Sequence, residues 1–146
     1  MTTKTIIRNR KAWHEYEILE KFEAGIALVG TEVKSVRQGK VKITDAYCQI
    51  EDDLQMRLHE MEISPYEFGN IHNHKANRIR KLLMHKREIA RLLSKVKEKG
   101  LTLIPLSLYY KKGMVKVEVA LCRGKKLHDK RASLKEKDAK REIDRA

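Results

Sequence analysis

The sequence predicts a mainly β protein: a small closed antiparallel barrel with one long helix, one or two short flanking helices and a basic tail. Three observations carry this prediction. Several segments alternate apolar and polar residues with the period of two that marks a half-buried strand. One segment repeats its apolar residues at helical spacing. From Arg123 onward apolar residues become sparse and no longer share a face.

Residues 1–13 are polar and basic apart from Ile6 and Ile7, and read as a flexible arm. Tyr16, Ile18, Phe22, Ala24, Ile26 and Leu28 then alternate as one long strand. Gly25 inside it permits a bend, through a bulge or a close backbone approach. Residues 30–39 read as about two turns of helix, with Thr31 as N-cap and Gly39 as the stop. Val33 and Val36 share one face, which leaves Glu32, Lys34 and Arg37 for solvent or ligand. Thr44-Asp45 opens another short turn.

Residues 47–51 and 54–63 read as two strands joined at Asp52-Asp53. The apolar parity switches near His59-Glu60, which predicts a β-bulge there. Residues 66–80 are polar and aperiodic, a long loop of the kind that is often functional. Leu82, Ile89, Leu92, Leu93 and Val96 predict a helix over 81–99, stopped by Gly100, with Arg87, Arg91 and Lys95 as a basic stripe on its outer face. Residues 101–110 and 114–121 form a hairpin, and Pro105 marks an edge or bulge because it cannot donate to a ladder. A five-stranded barrel with one long helix is OB-like, an architecture often used for nucleic acid.

The chain has 146 residues, with 33 Lys+Arg against 20 Asp+Glu, a formal net charge of +13. Its apolar content suffices for one compact core. No run approaches the ~18 apolar residues that span a bilayer. The N-terminus lacks the apolar stretch of a secretory signal, and Cys48 and Cys122 stand far apart without a CxxC partner. The expectation is a reduced, cytoplasmic protein. An excess of +13 points to a polyanion. The only strongly amphipathic helix is needed for the core, so nucleic acid is favoured over a membrane surface.

Signals for catalysis or metal binding are thin. His72 and His74 form an HxH pair that could ligate a metal, but no Cys or acidic pair stands nearby at zinc spacing. Histidine acid–base chemistry on RNA has no support in the spacing. Asp52-Asp53 reads as a turn in preference to a Mg²⁺ site. No phosphate-loop, dinucleotide, nucleophile-elbow or HExxH motif occurs. The expectation is a protein without cofactor or metal, and not an enzyme.

Longer strings carry a resemblance. NRKA (9–12), EKFEAGIAL (20–28), GTEVKSVRQGK (30–40), ISPYEFGN (63–70), RKLLMHKREI (80–89) and VKVEVALCRGKKLHDKR (115–131) together resemble the small protein B family, SmpB. The resemblance implies an OB-like RNA-binding barrel over 1–122 and a basic tail over 123–146 that is disordered until bound to the ribosome. It implies an adaptor that binds the tRNA-like domain of transfer-messenger RNA and delivers it to stalled ribosomes for trans-translation, the nascent chain being tagged and the ribosome rescued. The implied partners are that RNA, the decoding region and mRNA channel of the small ribosomal subunit, and elongation factor Tu during delivery.

By position, the resemblance implies that Asn9, Lys11 and His14 bind RNA from the N-terminal motif, Glu32, Lys34 and Arg37 from the GTEVKS helix, and Lys116 from the strand before the tail. Glu32, being acidic, is expected to accept hydrogen bonds from base or ribose donors. Lys125, Lys126, His128, Asp129, Lys130 and Arg131 match the segment that probes the empty mRNA path. Trp13 stands where many members carry a basic residue, and Ala139 where many carry an aromatic.

Overall fold

The structure is a computed structural model and describes residues 3–69 and 73–125. In chain order the elements are β1 (Lys4–Arg8), α1 (Arg10–Glu15), β2 (Tyr16–Ile26), α2 (Gly30–Arg37), β3 (Val41–Lys42), β4 (Tyr47–Ile50), β5 (Met56–His59), β6 (Glu62–Ile63), β7 (Arg80–Leu83), α3 (Lys86–Lys99), β8 (Thr102–Lys111) and β9 (Met114–Gly124). Strands β8, β4, β5, β7, β2 and β9 pair in that order, and β9 returns to β8, so the sheet closes on itself. Every pairing is antiparallel. The expected mainly β, OB-like barrel with one long helix and two short ones is the architecture of the described residues, but its ring has six strands where the sequence predicts five, because β7 takes a segment read as loop and helix.

Inward residues of the ring fill one core. Met56, Leu58, Leu108, Val117 and Val119 are inaccessible to solvent, and Ile89 and Leu92 of α3 close one side. Burial at this level stabilises by about 1.5–3 kcal/mol per large apolar side chain. A second, smaller cluster lies outside the barrel wall, where Ala12 of α1 covers Ile104, Leu106, Ala120 and Cys122.

From Lys4 onward the arm expected over residues 1–13 is instead structured. β1 pairs with β8, burying Ile6 and Ile7 against the core, and α1 follows at once. Both β1 and β4 lie along one edge of β8, meeting it at residues 107–110 and at Leu103 respectively. Pro105 falls in the gap, and the β8–β9 register slips between it and Ser107, as its missing donor requires.

Gly25 marks a close approach and not a bulge. A Cβ there would lie 3.2 Å from Leu83 Cβ, while the β2 register shift falls between Ile18 and Glu20. The parity switch near His59-Glu60 also has another cause. Glu60 adopts φ +60°, β5 ends, and β6 leaves the barrel to pair with β3. Met61 and Ile63 stay fully buried because the chain changes sheet.

The helix expected over 81–99 is shorter. Arg80 and Leu82 point inward and Lys81 and Leu83 outward, a period of two, and the helix begins only at Lys86. It stops at Gly100 in the left-handed conformation, φ +60°. The hairpin turns on Lys112 and Gly113, both with positive φ, which matches the right-handed twist of its strands. β9 runs to Gly124, two residues past the boundary read at 122.

Candidate nucleic-acid interface

Asn9, expected against RNA, is turned inward and 2 % exposed. Its Oδ1 accepts from the Ala12 N–H at 3.2 Å and so caps α1. Its Nδ2 donates to the carbonyls of Ile43 (3.2 Å) and Pro105 (3.0 Å), and its backbone N–H donates to the Leu106 carbonyl at 2.7 Å. Asn9 therefore fastens the N-terminal segment across the gap at Pro105. Lys11 and His14 face outward on α1. Lys11 Nζ meets Asp45 at 3.1 Å and Glu15 at 3.9 Å, and its ammonium is held above its ordinary range by the Asp45 hydrogen bond.

Glu32 is the larger correction. It is inaccessible to solvent and not left for solvent or ligand. Oε1 accepts from the Val29 N–H at 2.9 Å and from Arg78 Nη2 at 2.5 Å. Oε2 accepts from Arg80 Nε at 2.6 Å and Arg78 Nε at 3.3 Å. Burial alone would raise this carboxyl, but hydrogen bonds from Arg78 and Val29 with the charge of Arg80 hold it below the usual carboxylate range. Arg80, also inaccessible, completes its fork on the carbonyls of Met61 and Ala76. One carboxylate thus holds two guanidinium groups, and the Arg78 side chain remains 36 % exposed. Sequence reasoning missed both arginines; the alternation of Arg80 with Leu82 was the available signal.

The helix start differs as well. Val29 is the N-cap, and Glu32 at N3 reaches back to it, half of a capping box. Thr31 lies inside the helix, and its hydroxyl is 2.8 Å from His74 Nδ1. His74 Nε2 is 2.8 Å from the Ile63 carbonyl. A carbonyl only accepts, so Nε2 carries the proton and Nδ1 accepts from Thr31. Both nitrogens being engaged, His74 is a structural residue and no metal ligand. Among the described residues no group of His, Cys, Asp or Glu is arranged to hold a metal. His72 lies outside them. The Cys48 and Cys122 thiols are buried and raised by that burial, Cys122 to about 12. Asp52-Asp53 forms the expected turn, with Asp53 accepting from the Gln55 N–H at 3.1 Å and pairing with Arg57.

Gly39, φ +73°, ends α2 as expected: its N–H donates to the Val36 carbonyl and that of Lys40 to the Ser35 carbonyl. This places Arg37 at one rim of the barrel. Arg37 and Lys116 line one concavity there, together with Met114, Leu83 and Gly25. Lys34, on the exposed side of α2, stands over the Tyr66 ring, 5.1 Å from its centroid. Phe68, 69 % exposed, meets Tyr66 edge-on. Lys34, Arg37 and Lys116 have no carboxylate within 4.0 Å among the described residues. The stripe expected on α3 is partly spent: Arg91 and Lys95 both reach Glu20, at 3.6 and 2.9 Å, and Arg87 alone of the three faces outward unpaired among the described residues.

Lys125 follows β9 and donates its backbone N–H to the Glu15 carbonyl, so the chain leaves the barrel beside α1. Lys126, His128, Asp129, Lys130, Arg131 and Ala139 lie outside the described residues. No helix among the described residues is long and apolar enough to cross a membrane.

A closed antiparallel barrel in a chain of strong positive charge, with aromatic rings and cations unpaired among the described residues at one rim, defines a small β-barrel protein of the OB-like, polyanion-binding class. The chain belongs to the SmpB family, whose model, SmpB protein, matches residues 6–146. It is 57 % identical over 143 residues to an SsrA-binding protein of Carboxydothermus hydrogenoformans, covering 98 % of this chain and 95 % of that one. It is 54 % identical over 146 residues to an SsrA-binding protein of Pelotomaculum thermopropionicum, covering 100 % and 95 %. A solved structure described as "tmRNA-SmpB: a journey to the center of the bacterial ribosome" superposes with a TM-score of 0.70 at 48 % identity, over 88 % of this chain and 93 % of that one.

Proposed function

We propose that this protein binds the tRNA-like domain of transfer-messenger RNA and delivers it to stalled ribosomes for trans-translation, acting as an adaptor and not as an enzyme. The observation that carries the reading is the barrel rim, where Lys34, Arg37 and Lys116 stand without carboxylate partners among the described residues. Unpaired surface cations are the groups that exchange their counterions for phosphates. Similarity to SsrA-binding proteins and to a solved tmRNA-SmpB structure supports the same reading.

In this account Lys34, Arg37 and Lys116 contact RNA directly, joined by Lys11 and His14 from α1. Asn9 and Glu32 act one step back. Asn9 fixes α1, and Glu32 holds Arg78 with its guanidinium half toward solvent. The division is between the barrel, expected over 1–122 but carried by β9 to Gly124, and the tail that follows it. Within the tail Lys125, Lys126, His128, Asp129, Lys130 and Arg131 probe the vacant mRNA channel near the decoding region. An occupied channel excludes the tail sterically, which makes recognition depend on missing message. Elongation factor Tu accompanies the RNA during delivery, and the whole process places the protein in the cytoplasm.

The test is to compare the full chain with one ending at residue 125. Truncation leaves affinity for a transcript of the tRNA-like domain unchanged and abolishes tagging on ribosomes stalled without a stop codon. Equal loss of both activities contradicts the division of labour. Absence of binding by the full chain at physiological salt contradicts the function.

A further inference from the structure

Trp13, the one tryptophan of the chain, is 50 % exposed and belongs to neither apolar cluster. It borders a concavity of about 520 Å³ on the outer wall of the barrel, between α1, β1 and β8. Leu106 and Tyr109 form its apolar lining, Thr5 and Ser107 its hydroxyl lining, and Arg8, Lys111 and Glu118 its charges. Lys21 Nζ stands 4.8 Å from the centroid of the indole. Arg8 has no carboxylate within 4.0 Å among the described residues, whereas Lys111 reaches Glu23 at 3.0 Å. Cross-strand pairing sets Ser107 between Arg8 and Glu118, and Tyr109 between Thr5 and Lys116. The concavity is therefore one strand position away from Lys116.

We propose that this concavity takes an unpaired nucleobase of the bound RNA, stacked on Trp13, with its flanking phosphate on Arg8. The inference rests on the RNA-binding reading above and adds a stacking site to it. An exposed indole beside Arg8, unpaired among the described residues, matches what an extruded nucleotide offers, a flat π-face joined to a phosphate. A volume of this order is that of a ligand-sized cleft, about 300–1,000 Å³. Glu118 orients the nucleotide: it repels phosphate and accepts hydrogen bonds from the N–H groups of a base edge. The charge excludes the chain's own tail as occupant, since residues 123–146 carry ten Lys+Arg against five Asp+Glu.

Because Trp13 is the one tryptophan, its emission reports this site alone. The full chain is titrated with a labelled transcript of the tRNA-like domain and, separately, with a fully paired RNA duplex. Anisotropy of the RNA label measures binding independently of the indole. The transcript is expected to quench Trp13 and shield it from acrylamide, while bound duplex leaves it unchanged. Trp13→Ala is expected to weaken transcript binding roughly 5- to 150-fold, the worth of one base–aromatic stack. Trp13→Phe keeps most of the affinity, and both variants keep the wild-type circular dichroism. Transcript binding with unchanged emission, or undiminished affinity in Trp13→Ala, overturns the stacking site and leaves the RNA-binding reading intact. A response only to small ribosomal subunits also overturns it. No anisotropy change with either RNA overturns the functional reading and the stacking site together.

Discussion

Lys11, at the corner around α1, and the cations of the rim around α2 have their charge handled in opposite ways. At the corner, Lys11 lies within 4.0 Å of both Asp45 and Glu15, so its charge is largely answered inside the protein. At the rim, the carboxylate of α2, Glu32, is sealed inside and is taken up by the buried Arg80 and the part-exposed Arg78. Lys34, Arg37 and Lys116 are thereby left unanswered among the described residues. Counting basic residues would rank the two regions alike. The comparison teaches that the partner of each charge, and its depth, decides where a polyanion gains most.

Removing the sealed carboxylate should produce the largest effect. Glu32→Ala leaves Arg80 as an uncompensated buried charge and is expected to cost about 3–5 kcal/mol, read as a lower urea midpoint at unchanged slope. A loss under about 1 kcal/mol would break the comparison, because it would mean the trio is solvated. The pH dependence sharpens the same point. Glu32 titrates below its ordinary 4.5 in the folded chain. The stability it contributes is fully present above 4.5 and is lost as pH falls from there through the lower folded value. Glu32→Gln should flatten that acid limb of the unfolding curve.

Asn9 comes next. Asn9→Ala removes the cap of α1 and orphans the carbonyls of Ile43 and Pro105. The expected cost is about 1–3 kcal/mol of stability, with any loss of RNA affinity following the loosening of α1 and its Lys11 and His14. RNA binding weakened in an Asn9→Ala chain of undiminished stability would return Asn9 to the contact surface.

The barrel was legible where its signals are local. The alternation through Phe22 and Ala24, the hairpin closing near Gly113, the stops at Gly39 and Gly100 and the irregularity at Pro105 need only neighbouring residues to be seen, although the turn takes two residues where the sequence suggests the three of 111–113. β1 was illegible because Ile6 and Ile7 gain their partner from β8, about a hundred positions on, as in the pairing of Ile7 with Leu108. β7 was hidden because Leu82 also fits the helical series that continues through Ile89, and one residue serves either period. The burial of Glu32 was illegible for a further reason: an isolated acid reads as a surface residue until Arg78 and Arg80, 46 and 48 positions away, are folded against it. Lys34, Arg37 and Lys116 were legible as residues, but their shared lack of carboxylate partners among the described residues belongs to the tertiary structure.

The most direct measurement is the salt dependence of affinity for the tRNA-like transcript in three chains: wild type, Lys11→Ala, and the combined Lys34→Ala, Arg37→Ala and Lys116→Ala variant. Each phosphate contact contributes about 0.7–0.9 to the slope of log affinity against log salt. The account predicts that the rim variant loses about 2–3 units of slope and that Lys11→Ala loses less than one. Equal slopes for wild type and the rim variant, or a larger loss in Lys11→Ala, would contradict it.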